Sequence, residues 1–264
     1  IIMTVEEALC LLEKLVAPVK VSDDFCAKFK MYDNSGIIIN CGGSVSGALF
    51  SLDLSEAAAR QAAELGYNLI VTHHPAVYGG VSRFDLLNCA QSRALATCLK
   101  NGISVISMHL NFDAAPQGID YWLMCGVGGT EAKVLAQVEG GGYGRVYSIC
   151  PRTMPRLTQD LKETFSTNRI IVHGNKQGQI SKIASFCGAG LDDNAIAFAK
   201  AENADAVVSS DLSHHRISEL VESGIAVIQL THYCAENYGF NKIYQKVKTM
   251  LQIPSSYFCD ERFA

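Results

Sequence analysis

The stretch Leu54–His74, LSEAAARQAAELGYNLIVTHH, is echoed at Leu191–Asp211 by LDDNAIAFAKAENADAVVSSD. Each copy starts on a residue, Ser55 or Asp192, whose side-chain oxygen can accept from the first free amides of a helix. Each then runs through an Ala-rich amphipathic segment and turns at Gly66-Tyr67-Asn68 or Asn203-Ala204-Asp205. Each ends in a short apolar run, Leu69–Val71 or Ala206–Val208. The echo continues downstream, where Leu99-Lys-Asn-Gly-Ile-Ser-Val-Ile resembles Leu220-Val-Glu-Ser-Gly-Ile-Ala-Val-Ile apart from one extra residue. Each of these reads as a helix end, a glycine stop and a buried strand. With Ala48–Leu52 and Lys182–Phe186 as the strands before the paired helices, each half becomes strand, helix, strand, helix, strand.

Short, almost wholly apolar strands that alternate with helices imply parallel or mixed sheets flanked by helices. The expected fold class is therefore α/β, as two similar lobes. The expected division is 1–125 and 126–264, with the final helix, Ala235–Leu251, free to pack back on the first lobe. The glycine-rich stretch containing Gly126, Gly128, Gly129, Gly140, Gly141, Gly142 and Gly144 reads as the junction between lobes. Arg145–Cys150, a helix over Met154–Phe165 and a strand over Asn168–His173 open the second lobe.

Composition narrows the function. The chain has 264 residues, 48% of them hydrophobic, enough for a sizeable core. Charged residues make up 18%, which leaves surface to be buried in an oligomer. The net charge of −4 and the lack of a basic block argue against a dedicated nucleic-acid binder. No apolar run approaches the roughly 18 residues of a membrane span. Ile1–Leu15 carries Glu6, Glu7 and Glu13 and has no secretory pattern. The 10 cysteines are scattered without a Cys-x-x-Cys pair, so they read as small core residues of a reducing, cytoplasmic protein.

The histidines carry the chemistry. His73 and His74 follow Leu69–Thr72, His109 follows Ile103–Met108, His214 and His215 follow Val207–Ser210, and His232 follows Ile225–Thr231. These are the carboxyl ends of the expected strands, the edge where α/β sheets bind ligands. Core packing does not explain six histidines at one edge. His109-Leu-Asn-Phe-Asp113 brings a carboxylate to that edge, and His232-Tyr-Cys-Ala-Glu236 puts imidazole and carboxylate on one helix face if the helix has begun there. Mixed imidazole and carboxylate donors suit zinc, iron or manganese. Five ligands, His73, His74, Asp113, His232 and Glu236, are too many for one tetrahedral ion. They fit two divalent ions about 3.5–4 Å apart that share a water.

Asp33-Asn-Ser-Gly36, Thr72-His-His-Pro75, His109-x-Asn-x-Asp-Ala-Ala-Pro116-x-Gly118, Ser210-Asp-x-x-x-His215 and Thr231-His-x-x-x-Glu236 together resemble the motifs of the Nif-three-like dinuclear metal-centre family. Many of its members carry the name GTP cyclohydrolase I type 2 homologue. The resemblance covers nearly the whole chain in order. It implies two α/β lobes, a two-metal site in the cleft between them held by those same five residues, and a toroidal homohexamer built from dimers. It also implies a hydrolase acting on a small-molecule substrate such as a nucleotide, with attack at C8 of the guanine ring of GTP in the cyclohydrolase version. A non-catalytic metal-binding or regulatory scaffold is the alternative.

Several residues keep two readings. His73-His74 is a ligand pair or a solvated turn; adjacent residues converge only if the chain bends before Pro75. Asp113 is a ligand or a helix cap, and His232 with Glu236 a ligand pair or an ordinary helix pair. His109 is a ligand, a partner of Asp113 or a proton carrier. His215, ahead of His214, is a substrate-facing acid or base. His173 reads as structural. Asp33–Gly36 reads as a turn, and the resemblance implies that it borders the cleft. Gly188-Ala-Gly190 recurs in form as a phosphate loop but lacks its third glycine and lysine, so packing is the better reading. Tyr143, Tyr147 and Tyr238 are candidates to stack on a base or to pack an interface.

Overall fold

A computed structural model of the chain describes residues 3–138, 141–174 and 177–263. Gly140, one of the glycines expected at the junction, lies outside the described residues. In chain order the elements are α1 Val5–Leu15, α2 Lys20–Phe29, β1 Gly36–Ile39, β2 Ala48–Ser51, α3 Glu56–Glu64, β3 Leu69–Thr72, α4 Ala90–Lys100, β4 Ser104–Ser107 and α5 Leu110–Ala114. They continue with α6 Ile119–Val127, β5 Ala132–Val138, β6 Gly141–Thr153, α7 Met154–Thr164, β7 Ile171–His173, β8 Gln179–Ser185 and α8 Asp193–Ala201. The last are β9 Ala206–Ser209, α9 His214–Glu222, β10 Ala226–Gln229, α10 His232–Val247 and β11 Ser255–Phe258. The α/β class is as expected, with two mixed sheets flanked by helices.

Contacts divide the chain into two compact units. One comprises residues 1–112 with 240–259, and the other residues 113–239 with 260–264. The change between these units, after α5 begins, falls at 112/113. The reason lies in α6, which is tied to β6 by an ion pair from Asp120 to Arg145 and so belongs with the second sheet. The glycine-rich stretch is likewise no junction, because β5 and β6 pair through it as an antiparallel hairpin. Its glycines serve close packing. A Cβ on Gly141 would lie 1.8 Å from the Ala114 carbonyl oxygen, and Gly128 ends α6 in the left-handed region at φ +106°.

The first unit holds a sheet of order β1-β4-β3-β2-β11, in which β2, β3, β4 and β11 run parallel and β1 antiparallel. The second unit holds β5-β6-β8-β9-β10-β7, in which β8, β9 and β10 run parallel and β7 antiparallel to β10. The order β1-β4-β3-β2 therefore matches β7-β10-β9-β8. The repeat holds to the residue: α3 and α8 begin two positions after Leu54 and Leu191, and β3 and β9 begin fifteen positions after them. Local chemistry explains this. Ser55 accepts from the Ala58 amide at 3.1 Å, and Asp192 accepts from the Ala195 amide at 2.8 Å. Gly66 and Asn203 occupy the same repeat position at φ +70° and +54°, the conformation that glycine and asparagine tolerate best.

The strands are buried along their length, and each unit packs its own core. In the first, Leu49, Ile70 and Val105 meet Ala58, Ala59 and Ala62 of α3. In the second, Ala184, Val207 and Val227 meet Ala195 and Ala199 of α8. Alanine at these helix positions lets helix and sheet approach closely, while the apolar strands supply the buried area. Among the described residues no helix is long and apolar enough to cross a membrane.

Candidate metal centre

In the first unit the parallel strands set the site. His73 and His74 leave the carboxyl end of β3, His109 lies two residues past β4, and Asp53 lies two residues past β2. Because β1 is antiparallel to β4, the residues that enter β1, Asp33 to Ser35, come to the same edge. The ligand nitrogens of His73, His74 and His109 all lie within 4.8 Å of one another. Their rings are 4.9, 5.2 and 5.8 Å apart between centroids. The chain bends at Thr72–Pro75, where Thr72 Oγ1 donates to the His74 carbonyl at 2.8 Å. This bend is what lets two adjacent imidazoles converge, and His73, with 0% of its surface exposed, is not part of a solvated turn.

The hydrogen bonds behind these rings are of one kind. His73 Nδ1 is 2.9 Å from the Met108 carbonyl oxygen, so it must donate. His74 Nδ1 is 2.7 Å from Asp53 Oδ1, and His109 Nδ1 is 2.8 Å from Asp33 Oδ1. Each contact spends the Nδ1 proton on an acceptor and leaves Nε2 as the ligand atom, the usual arrangement behind a metal-bound histidine. His109 thus takes Asp33 as its partner. Asp33 also accepts from Ser35 Oγ at 2.6 Å, and Ser35 Oγ in turn accepts the His109 amide. Burial works to raise the Asp33 carboxyl, but the His109 hydrogen bond and charge, with Ser35 and Ser22, outweigh it and hold it at about 2.

That depression makes a prediction. An acid held below its unfolded value of about 3.9 stabilises the fold fully above that pH and loses its contribution as pH falls through the folded value. With screening allowed for, the contribution is about 2 kcal/mol. Urea unfolding of the metal-free protein is expected to show Asp33→Asn less stable than the parent at pH 6. The gap should narrow steadily as pH drops from 4 towards 2. A gap independent of pH over that range refutes the ion pair as its source.

In the second unit β8, β9 and β10 present their carboxyl ends in the same way. Helix α10 begins at His232, three residues before the expected start, so His232 and Glu236 are both helical and face one another. His232 Nε2 lies 2.9 Å from Glu236 Oε2, and His232 Nδ1 lies 2.8 Å from Asp211 Oδ2. Burial opposes protonation of His232, but Glu236 and Asp211 overcome it and raise its pKa to about 9. A proton therefore sits between two carboxylates where a cation could replace it. An oxygen of Asp113 lies within 4.8 Å of one of Glu236, and both side chains are buried. Asp113 lies inside α5, while Gly118 precedes α6, so Asp113 is not the cap of that helix. The Cys187 thiol, 3.5 Å from Asp113 Oδ1, donates to it.

Gly188-Ala-Gly190 packs against this cluster. At φ +56°, Gly188 would place a Cβ 2.6 Å from Glu236 Oε1, and Gly190 would drive one into the Tyr143 hydroxyl, which donates to the Cys187 carbonyl. A loop that abuts a carboxylate in this way is not built for phosphate. Tyr147 is buried, and Tyr238 stacks edge-on with Phe165 at 5.0 Å. His173 pairs with Gln229 across β7 and β10 at 3.3 Å, a structural role. His214 and His215 open α9 and are exposed; His215 Nε2 lies 3.4 Å from Ser213 Oγ, and neither joins a ligand cluster among the described residues. The sequence reading did not single out Asp53 or Cys187 as part of the site. For Asp53 a signal existed: it is a carboxylate just past a strand that ends at the histidine edge.

The donor set fits a divalent cation, since it offers imidazoles anchored at Nδ1 and converging carboxylates. The family described as Duf34/NIF3 (NGG1p interacting factor 3) matches residues 3–258. The chain is 27% identical over 234 residues to a Clostridium acetobutylicum protein named GTP cyclohydrolase 1 type 2 homolog, covering 86% of this chain and 84% of the relative. It is 27% identical over 217 residues to the Schizosaccharomyces pombe protein NIF3 homolog, covering 76% of each. The fold superposes on a Bacillus cereus protein related to NIF3 with a TM-score of 0.84 at 17% identity, over 99% of this chain and 98% of that one.

Proposed function

The chain belongs to the Duf34/NIF3 family, and from that premise we propose that it is a divalent-metal-dependent hydrolase. In this reading two cations, zinc, iron or manganese, are held by His73, His74, Asp113, His232 and Glu236. When bound, such ions polarise a substrate oxygen and make water nucleophilic near neutral pH. The observation that carries the reading is the anchoring of His73, His74 and His232 at Nδ1 by an acceptor, which fixes the direction of each ring. Histidines kept only for packing need no such repeated arrangement.

The chain's own residues supply the rest. Asp53 and Asp211 accept from Nδ1 of two imidazoles and fix their orientation. His109, backed by Asp33, and His215 at the start of α9 are the proposed carriers of protons to and from substrate. The names of the relatives favour a nucleotide substrate and ring opening of GTP, although the same ligands suit phosphoester or amide hydrolysis. The assembly proposed with this reading is the toroidal homohexamer, which a monomer on a sizing column would remove.

The test is elemental analysis of the purified protein, then incubation with GTP, cyclic and dinucleotide phosphates and simple phosphodiesters. Turnover lost to a chelator and restored by metal supports the hydrolase. Tight stoichiometric metal with no turnover across the panel overturns it and leaves a metal-binding regulatory scaffold.

A further inference from the structure

Two half-exposed tyrosines stand close in sequence to residues of the first unit's histidine cluster, and they are not those the sequence singled out. Tyr32 immediately precedes Asp33, whose carboxylate is 2.8 Å from His109. Tyr78 follows His74 by four residues. The two rings stand perpendicular, with centroids 5.3 Å apart, and Tyr78 donates its hydroxyl to the Tyr32 carbonyl at 3.1 Å. The segments that carry them are fastened to each other and to the sheet. Asn34 Nδ2 donates to the Val77 carbonyl at 2.7 Å, the Ala76 amide donates to Ser107 Oγ at 3.0 Å, and Gln91 Nε2 donates to the Ala76 carbonyl at 3.0 Å. Yet 51% of Tyr32 and 62% of Tyr78 remain exposed. Large aromatic surfaces held rigid and left in water cost free energy in the unbound state, and they lose little entropy when something flat covers them.

We infer that Tyr32 and Tyr78 form a stacking site for a planar heteroaromatic ring, flanking the histidines of the proposed centre. The inference rests on the reading of that centre as a site of chemistry and adds the residues that would receive the ring of the substrate favoured there. The perpendicular pair offers one ring face to stack on and one ring edge to border the ligand, and stacking of this kind accepts any base with a π-face. The position argues for substrate binding over mere loop packing. The hydrogen bonds at Asn34, Ser107 and Gln91 already fix the loop, so fixing it does not require two half-exposed rings.

The test uses the full-length protein, metal-loaded and metal-free, titrated in a calorimeter with guanosine, adenosine and ribose. Both nucleosides should bind and ribose should not. Tyr32→Ala/Tyr78→Ala should weaken nucleoside binding about tenfold or more while the bound metal is unchanged. Tyr32→Phe/Tyr78→Phe keeps both rings and should bind as the parent does, which separates stacking from damage to the loop. Equal binding of ribose, nucleoside affinity unaffected by the alanine pair, or no nucleoside binding at all overturns the inference. So does an alanine pair that only shifts the oligomeric state, since the rings would then cover a second copy. Ring binding without turnover of any substrate sinks the hydrolase reading alone. Turnover of simple phosphodiesters with no ring binding sinks only the stacking site.

Discussion

Glu236→Ala is expected to lose divalent metal by more than 100-fold in affinity and with it all metal-dependent turnover, and His74→Ala to behave alike. The scale follows from a graded comparison. Changing a residue that merely orients a ligand costs about 10–100-fold in metal affinity, so Asp53→Asn and Asp211→Asn are expected within that range. Deleting the ligand must cost more. The fold is not expected to suffer. Glu236 is 2% exposed; its carboxylate lies close to that of Asp113, which costs stability, and 2.9 Å from His232 Nε2, which offsets that cost. The metal-free Glu236→Ala protein should therefore melt close to the metal-free parent, while added metal should raise the melting temperature of the parent alone. Elemental analysis and thermal melts with and without zinc or manganese check both halves. Parent-like metal content in Glu236→Ala would remove this residue from the ligand set, and with it the two-ion reading.

The fold was legible where local rules and burial agreed. Ser55 and Asp192 cap as their residue types predict, Gly66 and Asn203 turn at one repeat position, and short apolar runs become buried parallel strands. From that frame the histidine edge follows, since residues just past parallel strands must emerge together. What misled was composition without partners. The glycines of 126–144 suggested a linker, but several of them are there because a neighbour leaves no room for a Cβ, as Ala114 does at Gly141. Such a contact is long-range and leaves no local trace. The start of α10 at His232 rather than Ala235 is a terminus effect of the kind that pattern reading places only within a few residues. The orienting groups were the least legible. Asp53 and the Met108 carbonyl matter through the β2-β3-β4 register, which a single strand does not encode. Tyr32 and Tyr78 meet only because β1 returns antiparallel to β4.

Asp120→Ala is expected to destabilise the second unit by about 3–5 kcal/mol, the cost of leaving a buried charge without its partner. Asp120 is fully buried, Arg145 is 8% exposed at its side chain, and Arg145 Nε lies 2.9 Å from Asp120 Oδ2. The carboxylate also accepts the Gly144 amide at 3.1 Å and the Cys187 amide at 3.4 Å, so its loss strands donors on both β6 and the loop after β8. Burial pushes the Asp120 carboxyl upward against the attraction of Arg145, which says that desolvation takes back much of what the pair gains. The double variant Asp120→Leu/Arg145→Met should therefore be much milder than Asp120→Ala, because it removes the stranded charge together with its partner. The double-mutant comparison, by urea unfolding, separates this from simple loss of packing. If the double variant is as unstable as the sum of its singles, the two groups do not act as a pair. The consequence reaches the site. Cys187 and Gly188 ride on the loop that Asp120 fastens, and they touch Asp113 and Glu236. Metal affinity in Asp120→Ala should fall alongside stability, whereas in the double variant the Cys187 amide still lacks its acceptor. A double variant that recovers stability but not metal affinity would show that Asp120 serves the fold through its charge and the site through its hydrogen bonds.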